Sequence, residues 1–315
     1  MNRPHLLLLL ICWSCFATAA EPFAFITNQG ENSVSVISLL NYDIAETIAV
    51  GEDPAGVAVD PRRGMVFVTS AKSKELISID IDSLKISSRV NSGSGPLGIA
   101  ADIRTGRVYV ADWYDNLIRA YDAQTLRMKA QYKTGKSPSG VCLTPDGQHL
   151  LVANRDDDSV WVINLVSGLT VAKIKVGDAP FGIAVSADSQ RAFVANVKSN
   201  DITVIDLIGM QAGMALPVGD APYAIVHDFD YDYLFVTNQQ DASVSVLDLE
   251  ALEEVRRIEV GEYPEGIDYD QRSGRIYVAN WFSNSVSVID VETLSVIEEI
   301  AVGDGARAFG KFLLY

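Results

Sequence analysis

The sequence predicts an all-β fold, a seven-bladed β-propeller with four-stranded blades, from three markers that repeat every 42 residues. A strand motif of the type YVAN ends at Asn28, Ser70, Asp112, Asn154, Asn196, Asn238 and Asn280. A proline recurs at Pro54, Pro96, Pro138, Pro180, Pro222 and Pro264, with Ala306 in the seventh place. The next strand ends at Ser38, Asp80, Asp122, Asn164, Asp206, Asp248 and Asp290. A period of roughly 40–45 residues with four strands per repeat is typical of propeller blades.

The four strands of a repeat follow from local composition. In residues 275–303, IYVAN and SVSVID carry β-branched and aromatic residues at period two, which is typical of strands. WFSN, between them, predicts a tight loop, and SVIEEIAVG predicts a third strand. The segment after each proline, such as GIAVS, predicts a fourth strand, small and apolar enough for the crowded inner position of a blade.

The two ends of the chain predict how the ring closes. Residues 23–28 form a second-strand motif with no inner strand before it, and residues 306–315 occupy an inner-strand position with no hairpin after it. We expect the last strand to pair with the first, which completes one blade from both termini and leaves no open sheet edge.

The strands FAFITN, LLVAN, AFVAN, LFVTN and IYVAN, with the VSVID-like strands and VGxxPxGIAV segments that follow them, resemble the YVTN family of β-propeller repeat proteins. The resemblance covers about residues 23 to 315. It implies the fold but no single function, because propellers are scaffolds for many functions. It also implies that the loops before the inner strand and the loops between the second and third strands share one rim around the channel mouth.

The pattern of residues 1–20 predicts a cleaved secretory signal peptide, and the repeats of residues 21–315 predict a single domain. Arg3 supplies the positive charge, residues 6–11 the apolar region, and residues 17–20 a small-residue cleavage site, cut after Ala19 or Ala20. No other stretch is apolar and long enough to span a bilayer. We therefore expect an exported, periplasmic protein, and a monomer.

Charge and cysteine content exclude several classes of protein. Removing Arg3, the only charged residue of the leader, changes the formal net charge from −16 to −17, which opposes binding to nucleic acid or anionic lipid. Cys142 is the one cysteine outside the leader, so no intramolecular disulfide is expected. Its position in the inner strand GVCLT predicts a buried, unreactive thiol.

The candidate binding surface lies on the predicted rim. Two loops carry aromatic pairs that a turn does not require, and the residue after each marker proline is expected to point toward the channel mouth. The predicted ligand- or partner-binding residues are Trp113, Tyr114, Phe181, Tyr223, Glu265, Trp281, Phe282 and Arg307.

Three alternatives stay open at this point. The tryptophans either present a binding surface or fold back onto a neighbouring blade. Trp113 and Trp281 come from different blades, so they form one patch or two. Arg307 either holds an anionic group or pairs with Glu265, and the pair is the favoured interpretation.

No catalytic or metal-binding motif stands out. His149 and His227 are the only histidines beyond the leader, and both are expected toward the opposite rim, on different blades. Acids that follow the third-strand glycine, such as Glu52 and Asp178, suit a divalent cation chemically, but different blades hold them apart. RDDDS, residues 155–159, is interpreted as a solvated loop. We expect no cofactor. A bound divalent cation is the one exception that an experiment should test.

The predicted function is that of an exported, non-enzymatic binding or scaffold propeller whose partner is a small molecule or a periplasmic protein. The first alternative is a lactonase- or lyase-type propeller enzyme with Glu265 as base and Arg307 as anion holder. The second is an accessory protein of a periplasmic redox or metal-handling system.

Overall fold

Seven sheets surround a central channel in the computed structural model, which describes residues 21–315. The signal peptide predicted for residues 1–20 lies outside the described residues. Six sheets have four strands, and the second has a fifth, short strand at its inner edge. Apart from the two short strands at the C-terminus, which pair with blades 1 and 2, the strands of each blade are antiparallel and run in sequence order from the channel outward. The fold is a seven-bladed β-propeller.

The strands of blades 1 to 4 begin with β1 at the N-terminus. They are β1 (Phe23–Asn28), β2 (Ser33–Ser38), β3 (Ile44–Ala49), β4 (Pro54–Asp60), β5 (Met65–Ser70), β6 (Glu75–Asp80), β7 (Lys85–Asn91), β8 (Pro96–Asp102), β9 (Arg107–Asp112), β10 (Leu117–Asp122), β11 (Met128–Lys133), β12 (Pro138–Leu143), β13 (His149–Asn154), β14 (Ser159–Asn164) and β15 (Thr170–Lys175). A single-turn 3₁₀ helix, Arg155–Asp157, lies between β13 and β14.

The remaining strands build blades 5 to 7 and close the ring. They are β16 (Pro180–Val185), β17 (Arg191–Asn196), β18 (Asp201–Asp206), β19 (Gln211–Pro217), β20 (Pro222–Asp228), β21 (Tyr233–Asn238), β22 (Ser243–Asp248), β23 (Glu253–Glu259), β24 (Pro264–Asp270), β25 (Arg275–Asn280), β26 (Ser285–Asp290), β27 (Ser295–Ala301), β28 (Phe309–Lys311) and β29 (Leu313–Leu314). The second strands begin at residues 23, 65, 107, 149, 191, 233 and 275, so the 42-residue step predicted from the sequence is confirmed.

The repeat also fixes the turns. The fourth residue of each loop between second and third strands has a left-handed backbone, for example Asn32 at φ 56° and Asn116 at φ 55°. The residue before five of the six marker prolines does the same, as at Tyr263 with φ 57°. These loops are held by buried polar side chains. The Asp112 carboxylate, for instance, accepts hydrogen bonds from the backbone N–H groups of Ser94 and Gly95.

The core lies between neighbouring blades. One large residue at the middle of each second strand is fully buried at the blade interface: Phe25, Phe67, Tyr109, Leu151, Phe193, Phe235 and Tyr277. The outermost strands are largely exposed on both faces. The inner strands approach one another so closely that a Cβ at Gly140 would lie 2.0 Å from the carbonyl oxygen of Phe181 on the next blade. Glycine two residues after the proline is therefore a packing requirement at Gly140.

The predicted pairing of the two ends is present, but the last strand is not continuous. In β29, Leu313 pairs with Ala24 and Leu314 with Phe23, and Ala306 bridges to Asn28 at the other end of β1. Between these points the chain leaves blade 1, and β28 pairs in parallel with β4 of blade 2.

A single buried carboxylate holds the interrupted segment. Asp268 accepts hydrogen bonds from the backbone N–H groups of Phe312 at 2.9 Å and Leu313 at 3.1 Å, and from Lys311 Nζ at 2.8 Å. Gly310 has a φ of +126°, a backbone conformation that favours glycine. The expectation of one inner strand over residues 306–315 is therefore corrected to two short strands with a kink at Gly310.

No helix within residues 21–315 is long and apolar enough to cross a membrane.

Candidate functional site

A concave cavity of 690 Å³ lies at the centre of the rim that carries the loops between second and third strands. We call this rim the upper rim and the cavity the upper cavity. Its aromatic wall consists of Trp113, Phe181, Tyr223, Tyr263 and Trp281. Its charged and amide groups come from Arg155, Lys198, Asn200, Asp220, Gln239, Gln240, Glu265 and Arg307. Six of the eight residues predicted as a binding surface therefore line one cavity.

The floor of the upper cavity is an aromatic plug. The rings of Phe181 and Tyr223 stack with centroids 3.9 Å apart, and Phe309 packs edge-on against both, at 4.9 and 5.8 Å. All three side chains are buried. Phe181 and Tyr223 follow marker prolines and point to the channel as the sequence predicted. Their contact occludes the channel instead of lining an open mouth.

An ion pair lies beside the plug. Arg307 Nε is 2.5 Å from Glu265 Oε2, and Arg307 Nη2 donates to the Tyr223 hydroxyl at 2.9 Å. The other Glu265 oxygen accepts a hydrogen bond of 2.8 Å from the Gln239 amide. The predicted pairing of Arg307 with Glu265 is thus present, and both groups are engaged within the protein.

Burial works against the charge of both members of this pair. It raises the pKa of Glu265 by more than Arg307 and Gln239 lower it. For Arg307, burial acts to lower the pKa, but the Glu265 carboxylate and the Tyr223 hydroxyl outweigh it and raise the pKa. The direct contact between the guanidinium and the carboxylate favours the charged form of both groups and opposes the effect of burial.

The aromatic residues of the last blade form a cluster above the ion pair. Trp281 stacks on Phe282, with centroids 5.2 Å apart and planes inclined by 20°, and Tyr263 lies 5.5 Å from the Trp281 ring. The Arg307 guanidinium is 5.6 Å from the centre of the Trp281 ring. Trp281 is half-buried, whereas Phe282 is 61 % exposed and does not line the upper cavity.

Trp113 approaches the same cavity from blade 3. It packs against the cluster that contains Phe181 and Tyr223, and the Arg155 guanidinium lies 5.8 Å from its ring centre. Its neighbour Tyr114 is 72 % exposed and lies outside the cavity. The two alternatives for the tryptophans, folding back onto the ring and presenting a surface, are thus combined. Each is half-buried against the ring, and the two form the walls of one cavity instead of two separate patches.

Sequence reasoning missed several lining residues. Gln239 and Gln240 follow the repeat marker Asn238 directly, and Tyr263 precedes the marker Pro264. The loop contents carried this signal, but we singled out aromatic pairs and the residues after each proline. Tyr263, at the position before the proline, has a left-handed backbone and lines the upper cavity.

The two histidines and the cysteine, which the sequence did not predict to form a site, are distributed over the ring. His227 lies in β20 of blade 6 with Nε2 at 2.7 Å from Asp232 Oδ1, and His149 begins β13 of blade 4. Cys142 lines the channel below the plug and is half-buried, less than the sequence predicted. Burial raises the pKa of its thiol to about 11. Within residues 21–315, no three His, Cys, Asp or Glu side chains group closely enough to hold a metal ion.

The family described as Lactonase, 7-bladed beta-propeller matches residues 90–215 of the chain. The match runs from the end of β7 through most of β19, which covers less than half of the sequence. It supports the propeller fold over blades 3 to 5. No curated protein matches the chain.

Solved structures show the same architecture at low sequence identity. Hydrazine synthase from Kuenenia stuttgartiensis superposes with a TM-score of 0.72 at 18% identity, covering 81% of this chain and 89% of that chain. A functionally unknown protein from Desulfotomaculum acetoxidans DSM 771 gives 0.79 at 15% identity, with 91% and 99% covered. The dihydro-heme d1 dehydrogenase NirN, solved in complex with DHE, gives 0.72 at 14% identity, with 92% and 75% covered. These similarities show the fold alone.

Proposed function

We propose that this protein is a binding propeller whose ligand or partner occupies the upper cavity. The observation that carries the proposal is that Trp113 and Trp281, from blades 3 and 7, wall one concave space of 690 Å³. Cavities of roughly 300–1,000 Å³ with aromatic walls and a few polar groups are typical of small-molecule sites. Tryptophan and tyrosine are also enriched at protein interfaces, because a large apolar ring and a polar atom serve both environments.

The chemistry of the walls favours a ligand with flat faces and polar edges. Trp113 and Trp281 offer ring faces, while the side-chain amides of Asn200 and Gln240 offer both donors and acceptors. A sugar ring or an aromatic metabolite combines these features. Arg155 and Lys198 also line the cavity, so a ligand with an acidic substituent is favoured over a cationic one.

The proposal is binding without catalysis at Glu265. A general base must be free to reach the proton it removes. The Glu265 carboxylate is 1 % exposed and is held by Arg307 and Gln239, so it is not presented to a substrate.

Ligand titration monitored by tryptophan fluorescence tests the proposal. Trp161 lies on β14 with the ammonium of Lys173 over its ring, outside the upper cavity, and provides the matched control. We expect Trp113→Ala and Trp281→Ala to abolish the response to a sugar and aromatic-metabolite panel, or to an affinity-purified partner. Trp161→Ala should retain it. A response that all three variants retain would place the binding surface elsewhere.

A second candidate function is lactone hydrolysis, and the match of residues 90–215 to the lactonase model favours it. Among residues 21–315, Asp220 is the only exposed carboxylate that lines the upper cavity, and it accepts a hydrogen bond of 3.0 Å from the Asn200 amide. Asp220 therefore replaces Glu265 as the candidate base. Hydrolysis of a lactone panel that Asp220→Asn abolishes would favour this function over simple binding, provided that Asp178→Asn retains it. Asp178 is exposed at the same position of the preceding repeat and does not line the upper cavity.

Native mass spectrometry of the mature protein, purified without chelator, separates these candidates from an accessory role in a redox or metal-handling system. Two proteins of similar fold carry redox names, hydrazine synthase and dihydro-heme d1 dehydrogenase. An added mass of a metal ion or tetrapyrrole would favour the accessory role. A clean polypeptide mass would favour a partner or a weakly held ligand.

Export to the periplasm is part of the same proposal. It depends on the leader motif of residues 1–20. Cell fractionation and N-terminal sequencing test it. The expected product begins at Ala20 or Glu21, and recovery of the intact leader in the cytoplasm would overturn it.

A further inference from the structure

Below the aromatic plug, a second cavity of 440 Å³ occupies the other half of the channel. We call it the lower cavity. The side chains of Val141, Ile183, Ile225, Ile267 and Leu313 contribute to its apolar walls. Pro61 and Ile103, which follow the inner strands β4 and β8, also line it, so it extends toward the rim opposite the upper cavity. Phe309 separates it from the ring stack of Phe181 and Tyr223.

One cation, Lys311, projects into this apolar space. The kink at Gly310 and the parallel pairing of Lys311 with Ala58 place it halfway along the inner strand β4. Its side chain is 72 % exposed, and Lys311 lines the lower cavity, so exposed surface of this side chain forms part of the cavity wall. A lysine that serves only as a counter-ion usually packs its aliphatic stem against apolar surface. The stem of Lys311 remains open to the cavity.

Asp268, the counter-ion of Lys311, already accepts hydrogen bonds from other donors. Asp268 accepts the backbone N–H groups of Phe312 and Leu313 in addition to the Lys311 ammonium. An ammonium has three N–H donors, and Asp268 is the one hydrogen-bond acceptor that Lys311 Nζ has among residues 21–315. Two donors thus face a space whose walls offer few acceptors.

We propose that the lower cavity binds a slender aliphatic molecule with one terminal carboxylate, its chain against the apolar walls and its head group on Lys311. The volume lies within the range of small-molecule sites, roughly 300–1,000 Å³. Burying the chain supplies affinity, roughly 25 cal/mol for each Å² of apolar surface removed from water. The carboxylate supplies acceptors for the open donors and gives selectivity over an uncharged chain. This site is separate from the upper cavity and does not depend on the function proposed there.

Isothermal titration of the mature protein with decanoate and decanol, both below their solubility limits, tests the site. A hydrogen bond between charged groups contributes enough free energy that decanoate should bind about tenfold or more tighter than decanol. Lys311→Met should reduce the affinity for decanoate to that for decanol. Lys133→Met, an exposed lysine on the outer strand β11, is the matched control and should change neither affinity.

A second variant, which keeps all charges, tests the site even if Lys311→Met fails to fold. Ala100 lines the lower cavity and is small, so Ala100→Leu should occupy part of the volume and weaken both ligands. The proposal is overturned if decanoate and decanol bind equally, if neither binds, or if Ala100→Leu leaves both affinities unchanged. Loss of decanoate binding in Trp281→Ala would also overturn it, because that residue lies in the upper cavity.

Discussion

Phe181 and Tyr223, one blade apart, stack with ring centroids 3.9 Å apart between the two cavities of the channel. Each follows the marker proline of its own repeat, where three of the other blades carry Ala55, Leu97 and Ser139. The stack, with Phe309 packed against it, divides the channel into an upper cavity rich in aromatic and charged groups and an apolar lower cavity. The channel of this repeated scaffold therefore contains two chemically different cavities.

The two tryptophans of the upper cavity are expected to contribute more to binding than to stability. Both are half-buried at the ends of loops. Trp→Ala at fully buried positions costs about 3–5 kcal/mol, and we expect each of Trp113→Ala and Trp281→Ala to cost no more than about 2 kcal/mol. Urea denaturation measures this difference. Losses of several kcal/mol in both variants would make these residues part of the core and remove the main support for the binding proposal.

Removal of one partner from the ion pair of Glu265 and Arg307 should destabilise the protein strongly. A buried charge left alone costs about 3–5 kcal/mol, so Glu265→Gln and Arg307→Met should each lower the free energy of unfolding by about this amount. The double variant should lose less free energy of unfolding than the two single variants lose together. Additive losses in this double-mutant cycle would show that the two side chains are not coupled.

Closure of the ring should depend on the C-terminal residues and on Asp268. Deletion of residues 310–315 removes β29 and the buried Phe312, which is 0 % exposed, so the melting temperature of the entire propeller should fall in one transition. Asp268→Asn should give a smaller loss, about 1.5–3 kcal/mol, because hydrogen bonds to a charged acceptor are weakened. Deletion of Tyr315 alone is the control. A truncated protein that melts like its parent would refute closure by this strand.

The stability of the protein should decrease as His227 becomes protonated. Burial lowers the pKa of His227 below its ordinary value, and the hydrogen bond to Asp232 only partly opposes this shift. The unfolded chain therefore binds more protons near pH 6 than the folded chain does. The stability that neutral His227 contributes to the folded state is fully present above about pH 6.5 and is lost as the pH falls through the pKa of His227 in the folded protein.

Thermal unfolding at pH 7.5 and pH 5.5 measures the effect. The decrease between these values should be smaller in His227→Gln than in the parent protein. An equal decrease in both would assign the acid sensitivity to other groups.

Cys142 should react slowly in the folded protein. Burial raises the pKa of its thiol to about 11, and the thiolate is the reactive form. At pH 8, iodoacetamide should modify the native protein at least about tenfold more slowly than the urea-unfolded chain, in which the pKa returns to about 8.5. Comparable rates, measured by mass spectrometry, would mean that the lower cavity exposes this thiol to reagent as thiolate.

The blades could be predicted from the sequence because their information is local and repeated seven times. Alternating β-branched residues specify each strand, the proline and glycine specify the inner turn and its close packing, and the 42-residue step fixes the register of every blade without an insertion. The candidate rim residues followed from the same register, since the position after each marker proline identifies a side chain at the channel.

Contacts between distant repeats could not be predicted in the same way. Tyr223 and Arg307 are 84 residues apart, and their hydrogen bond depends on how far each side chain reaches across the channel. Nothing local shows that Trp113 and Trp281 share one cavity. Asp268 stands at an inner-strand position where other repeats carry alanine, cysteine or valine, but its role as the acceptor for Phe312 and Leu313 exists only when the two ends meet.

The sequence by itself determined the fold, the number of blades and the identity of the closing segment, because each follows from a short pattern repeated in register. Tertiary structure alone decided that the channel is divided, that the Tyr223 hydroxyl joins the pair of Glu265 and Arg307, and that Lys311 faces an apolar cavity. The physical reason is that the centre of a propeller is where all seven repeats meet. Side chains there interact with partners that are far away in the sequence, and their size and charge decide the arrangement.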